Sequence, residues 1–174
     1  MIREPTPPDP ARTLPIERLE LRRHATREAM RDGLSERGRA LAEDVGRSRS
    51  EPYDAVFVSP AERAAETAAW ILRGAGQQLP PIHAEIPGLA GHDATGGSPE
   101  GLAAGVRALL DQIPDGGLAL AISHTPLVER AAFGLTGREV APMSECEGVM
   151  ITRHDDGRIT LEELRLTAPP QTSD

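Results

Sequence analysis

Leu19-Glu20-Leu21-Arg22-Arg23-His24-Ala25-Thr26-Arg27 decides how the rest of the chain is read. Leu19 and Leu21 alternate as a strand places residues on one face. The strand then stops abruptly in a cationic cluster, with Arg23 and Arg27 flanking the single histidine His24. Open α/β sheets bind their ligands at the carboxyl ends of strands. Guanidinium forks match phosphate oxygens bidentately, so a phosphate dianion is the ligand this cluster suits. A chance gathering of surface arginines would look the same, and two later segments decide between the readings.

On the N-terminal side, residues 1–14 carry Pro5, Pro7, Pro8 and Pro10 among polar residues and show no periodicity, which reads as a disordered tail. Residues 168–174 read the same way, leaving one domain over 15–167. Downstream of the cluster, Ser35 is an N-cap for a helix to about Arg47, with Leu41, Val45 and the small Ala40 and Ala42 on its apolar stripe. Ala55-Val56-Phe57-Val58 is a continuous apolar run, as in a buried parallel strand. Ser59-Pro60-Ala61-Glu62 reads as a capping box with proline at the first helical position, opening a helix to Gly74. A short strand is expected at Ile82–Glu85 within a Gly- and Pro-rich segment. Ser98-Pro99 then starts a helix whose Leu102, Val106, Leu109, Leu110 and Ile113 form one stripe. Leu118–Ile122 is a second buried-strand pattern, and Ser123-His124-Thr125-Pro126 leads straight into another helix. Val149–Ile151 and Ile159–Leu161 flank Asp155-Asp156-Gly157, a hairpin signal. Strands alternating with helices predict a three-layer α/β/α sandwich, with a mostly parallel central sheet and an antiparallel C-terminal edge.

Composition narrows the function classes. A chain of 174 residues with 39% hydrophobic and 26% charged residues can bury a full core. No apolar run approaches a bilayer span and no signal-peptide pattern is visible, so no membrane partner is expected. The single cysteine, Cys146, cannot form an internal disulfide, which points to a reducing, cytoplasmic compartment. Cys146 reads as a small buried apolar residue, not a reactive thiol. A net charge of -8 argues against nucleic acid as a partner. Arginines clustered within so acidic a protein focus the field on one pocket.

Each confident strand is followed by chemistry: Arg23 and His24 with Arg27 after the first, Ser59-Pro60 with Arg63 after the second, and Ser123-His124-Thr125-Pro126 after the third. If the three strands are parallel neighbours, these residues share one sheet edge beside two helix N-termini, which attract anions. Each has a plainer reading. Ser59 to Glu62 is explained by capping alone, Arg63 by solvation, and His124 by a structural place at a helix start. Coincidence of all three at one edge outweighs those readings.

These residues resemble a known family. Leu21-Arg22-Arg23-His24-Ala25, then Ser59-Pro60-Ala61-Glu62-Arg63-Ala64-Ala65-Glu66-Thr67, then Ala121-Ile122-Ser123-His124-Thr125-Pro126-Leu127 look like the three signatures of the histidine phosphatase superfamily, which includes the phosphoglycerate mutases. The similarity runs in order from about residue 17 to 166. It implies a phosphoglycerate mutase-like fold and a hydrolase that forms a phosphohistidine intermediate on His24. It also implies that Arg23, Arg63 and His124 hold the phosphoryl oxygens and that neither metal nor cofactor is required. For attack one ring nitrogen of His24 must be unprotonated, its other N–H held by a backbone carbonyl. The surrounding arginines are expected to lower its pKa by repulsion.

The departures are informative. Arg27 stands where the mutases have Thr or Ser, and is a candidate third phosphate ligand; Met30 replaces a pocket asparagine of the mutases. Both shift the reading from mutase to phosphatase. Where many members carry a general-acid glutamate, Gly88 to Ala90 offers none; Glu85, His92 and Asp93 flank the gap as candidates. An alkoxide leaving group needs protonation, whereas a phosphoramidate needs little, and the small bacterial protein-phosphohistidine phosphatases, which this chain resembles in size, lack the acid. The partner expected is therefore a phosphorylated small molecule or phosphoprotein. A small-molecule phosphatase or mutase with a relocated acid, and a non-catalytic phospho-ligand-binding module, are the alternatives.

Overall fold

The structure is a computed structural model that describes residues 16–166. Both expected tails, 1–14 and 168–174, lie outside the described residues. Six strands and four helices follow in the order β1 (Glu17–Arg23), α1 (Glu36–Arg47), β2 (Ala55–Val58), α2 (Glu62–Gly74), β3 (Ile82–Glu85), α3 (Pro99–Leu110), β4 (Leu118–Ser123), α4 (Leu127–Thr136), β5 (Gly148–Arg153) and β6 (Ile159–Leu164). One sheet is formed, ordered β3-β2-β4-β1-β5-β6. The first four strands run parallel; β5 is antiparallel to β1, and β6 to β5. The α/β/α class and the antiparallel edge are as the sequence implied.

Each sheet face has its own core. Leu19 and Leu21 point with Phe57, Ala119, Ala121 and Val149 toward α3 and α4. Val56, Leu118, Leu120 and Ile122 point toward α1 and α2. All of β4 is buried, which is why its sequence is apolar without alternation. At about 25 cal/mol per Å² of apolar surface removed from water, these two cores are the main stabilising term.

Glycine governs how closely α1 approaches its neighbours. A Cβ on Gly46 would fall 2.0 Å from the Ile71 carbonyl oxygen, and one on Gly74 equally close to the Glu43 carbonyl oxygen. The two helices therefore meet backbone to backbone. At the other end of α1, Ser35 caps the helix by accepting from Gly38 N–H, and its own hydroxyl and N–H both donate to the Thr26 carbonyl. The helix start is thus tied to the loop that follows His24.

One local expectation fails. The segment Ser59–Glu62 is not a capping box: α2 begins at Glu62 after Ala61, which has no side-chain cap, and Ser59 turns elsewhere. The polar face of β1, on which the sequence reading is silent, is buried. Glu20 is fully buried and accepts from Arg22 Nε at 2.5 Å and Tyr53 hydroxyl at 3.1 Å, while Arg22 Nη1 donates to the Cys146 carbonyl at 2.7 Å.

Candidate active site

Because β4 lies between β1 and β2, the carboxyl ends of all three open at one edge. A cleft of about 930 Å³ forms there, lined by Arg23, His24, Arg27, Arg63, His92, His124 and Glu145 among others. Three distant segments of sequence therefore converge. Ser123 belongs beneath the cleft: it is buried, and its hydroxyl donates to the Leu89 carbonyl.

His24 is fixed by backbone and side chain together. Its N–H donates to the Ser123 carbonyl at 3.0 Å, across β4. Its ring Nδ1 lies 2.7 Å from the Ala25 carbonyl oxygen. A carbonyl can only accept, so Nδ1 carries the proton and Nε2 holds a lone pair. That lone pair faces Arg63 Nε at 3.3 Å. Behind it, Ala25 N–H donates to Thr67 Oγ1, and the Thr67 hydroxyl donates to the Arg63 carbonyl, so α2 holds the histidine loop directly. Ala25 is completely buried. Burial is the main force pushing the His24 pKa down; the Ala25 carbonyl opposes it, and Arg63 and Arg23 add to it. Repulsion by arginines, expected from sequence as the cause, is the smaller contribution.

Arg63 joins the two histidines. Beyond His24, its Nη2 lies 3.4 Å from His124 Nδ1, and its Nη1 pairs with Asp32. An arginine N–H can only donate, so His124 Nδ1 accepts and its Nε2–H donates to Ser59 Oγ at 2.7 Å. That is what Ser59 does in place of capping. Burial, followed by Arg63 and His24, lowers the His124 pKa to about 4. The two imidazoles sit 5.2 Å apart, both neutral in neutral solution. Asp32 also accepts from Glu62 N–H at 2.7 Å. The α2 N-terminus is thus partly satisfied from outside the helix and is not the free anion site expected of it.

Arg23 donates to the Met143 carbonyl from Nη1 at 2.8 Å and approaches Glu145 from Nη2 at 3.8 Å. Its Nε is buried without a partner among the described residues. Arg27 is exposed at the rim of the same cleft. Met30 stands almost wholly in solvent.

Of the three acid candidates, only His92 lines the cleft. Glu85 is exposed at the end of β3 and borders a separate apolar cavity of about 710 Å³ beside α2. Asp93 accepts from the Thr95 N–H and hydroxyl, bonds that hold it below the usual carboxylate range. Asp32 and Glu145, which the sequence reading passed over, are the carboxylates that bear on Arg63 and Arg23. Among the described residues, no group of three or more His, Cys, Asp or Glu is placed to hold a metal ion, and no helix is long and apolar enough to cross a membrane. Cys146 is fully buried, which pushes its thiol up to about 12, as suits a packing residue.

With two neutral imidazoles, two inward arginines and a lone pair aimed into the cleft, the comparisons with known proteins acquire a geometric meaning. Residues 20–89 match the histidine phosphatase superfamily, branch 1. The resemblance read from the motifs is thereby borne out, over a span that holds both the His24 and the Arg63 segments. No curated protein matches the chain at a significant level. Among solved structures, the protein histidine phosphatase SixA complexed with tungstate is similar at 23% identity and TM-score 0.67, over 84% of this chain and 96% of that one. A phosphoglycerate mutase from Bacillus anthracis is similar at 16% identity and TM-score 0.64, over 86% and 93%. A phosphoserine phosphatase from Entamoeba histolytica, in complex with 3-phosphoglyceric acid, is similar at 15% identity and TM-score 0.63, over 87% and 98%. At these identities the likeness establishes the fold, which is phosphoglycerate mutase-like.

Proposed function

We propose that the protein is a metal-independent phosphatase that works through a phosphohistidine at His24, on a phosphomonoester or a phosphohistidine. The observation that carries this reading is the fixed tautomer of His24, whose Nδ1–H on the Ala25 carbonyl leaves Nε2 as the lone pair inside a cationic cleft. Arg23, Arg63 and His124 are the groups that would bind the equatorial phosphoryl oxygens, with Arg27 at the rim. Phosphoryl transfer asks mainly for in-line positioning and charge stabilisation, which these groups supply.

In the first step the Nε2 lone pair attacks phosphorus, the bond to the leaving oxygen or nitrogen breaks, and that atom takes a proton. His92 is the residue best placed to give it, since Glu85 and Asp93 face elsewhere. In the second step water attacks the phosphohistidine and gives a proton back to His92, the Nε2–P bond breaks, and inorganic phosphate and neutral His24 are released. The proton stays on Nδ1 throughout, donated in a hydrogen bond to the Ala25 carbonyl. The short segment between α2 and α3 adds no large lid, which favours a substrate displayed on a protein over an enclosed metabolite.

The test compares hydrolysis of phosphoramidate and of an aryl phosphate, with chelator present, by the wild type and His24→Ala. Turnover abolished in His24→Ala and indifferent to chelator supports the proposal. Turnover that survives the substitution, or that needs a metal, contradicts it. Phosphate binding without any turnover would make the chain a binding module.

A further inference from the structure

The cleft contains one feature that phosphate binding does not explain. Among the described residues that line it, Glu145 is the only carboxylate, set among three arginines and three histidines. A negative charge beside Arg23 weakens the pull on a phosphoryl dianion, yet the loop that carries it is tied firmly to β1. Met143 O accepts from Arg23 Nη1 and Glu147 O from Arg23 N–H. Between them, Cys146 O accepts from the buried Arg22, and Cys146 adopts a left-handed backbone with φ 63°. The Glu147 carboxylate is consumed locally by Ser144 N–H, Leu166 N–H and Arg165. Glu145 is held more loosely: it forms an ion pair with Arg23 Nη2 at 3.8 Å, beyond hydrogen-bond distance, and 38% of its side chain is exposed. A hydrogen-bonded loop therefore holds a partly exposed carboxylate in the wall of the cleft that contains His24 and His92.

We propose that Glu145 screens leaving groups by charge. It disfavours phosphorylated compounds that carry a carboxylate next to the phosphoryl group. It favours those whose leaving group is cationic or offers an N–H, the phosphoramidates of imidazole and amine side chains. This deepens the phosphatase reading and rests on it, because it takes the cleft to be the phosphoryl site. A like charge within about 6 Å at a half-exposed rim changes affinity by roughly tenfold, by repulsion alone. The loss accepted on phosphate itself is offset only by substrates of the favoured kind.

The experiment measures calorimetric affinities of para-carboxyphenylphosphonate, para-aminomethylphenylphosphonate and phenylphosphonate for the wild type and Glu145→Gln. In the wild type the amino compound should bind roughly tenfold or more tighter than the carboxy compound. Glu145→Gln should collapse that ratio to about threefold or less, by tightening the carboxy compound and weakening the amino one. An unchanged ratio overturns the proposal. So does an equal loss for all three ligands, which would mean that Glu145 only supports the loop. Aryl phosphate hydrolysis, measured in parallel with His24→Ala, reports on the phosphatase reading separately. Absent hydrolysis with the charge ratio intact would sink that reading and leave the screening. Failure of all three phosphonates to bind would sink both.

Discussion

Acid should weaken the fold through His124 in a defined window. The ring's pKa falls from 6.5 to about 4 on folding, chiefly because burial penalises its charged form. Between those values the unfolded chain binds a proton that the folded protein refuses. Stability therefore falls as pH drops through the window and levels off below about 4. The full difference corresponds to about 3 kcal/mol. Water reaches part of the ring and screens it, which reduces the expectation to about 1–2 kcal/mol. His24 shifts in the same direction and adds to the slope. The assay is urea unfolding at steps from about pH 7 down to about 4.5, with wild type and His124→Gln compared at each step. Asp32 and Glu66, held below the usual carboxylate range, lose their contributions at still lower pH and do so in both proteins. The wild type should lose about 1–2 kcal/mol more than the variant across the window. Parallel curves would refute the assignment of a buried, neutral His124.

Three further outcomes are expected. Glu20→Gln removes the buried negative charge that partners Arg22 and one of the two acceptor oxygens facing Arg22 and Tyr53, and should cost about 3–5 kcal/mol by chemical denaturation; a loss under about 1 kcal/mol would show that the pair is dispensable. Gly46→Ala drives a methyl group into the Ile71 carbonyl and should destabilise by about 1–3 kcal/mol, whereas a neutral effect would mean that α1 and α2 can part freely. His92→Gln should lower kcat on an alkyl phosphate by about a hundredfold while leaving phosphoramidate within about threefold, and equal losses on both would remove His92 as proton donor.

What the sequence disclosed depended on range. β2 and β4 were legible because a strand covered on both sides must be apolar throughout, and the edge hairpin because Asp155-Asp156-Gly157 has one obvious conformation, with Gly157 at φ 82°. Ser35 was read correctly as a cap because its partner is three residues away. Ser59 carried the same local signal and was misread, since its partner His124 is sixty-five residues on and capping rules see only neighbours. The burial of Glu20 was not legible for a related reason. Alternation along β1 says which residues share a face, not that Tyr53, Arg49 and Cys146 close over it. The three loop-end clusters were legible as chemistry, and the parallel order of β1, β4 and β2 brought them together as supposed. Asp32 and Glu145 lie in loops without periodicity, so only the folded arrangement reveals that they act on Arg63 and Arg23.

The central claim is that His24 Nε2 takes the phosphoryl group. Mixing enzyme with excess phosphoramidate, quenching in alkali within the first turnovers and mapping the label by mass spectrometry tests it directly, because phosphohistidine survives alkali. The account requires a phosphoryl group on His24, absent from His24→Ala. Label on Ser59 or His124, or steady turnover with His24 never labelled, would contradict it.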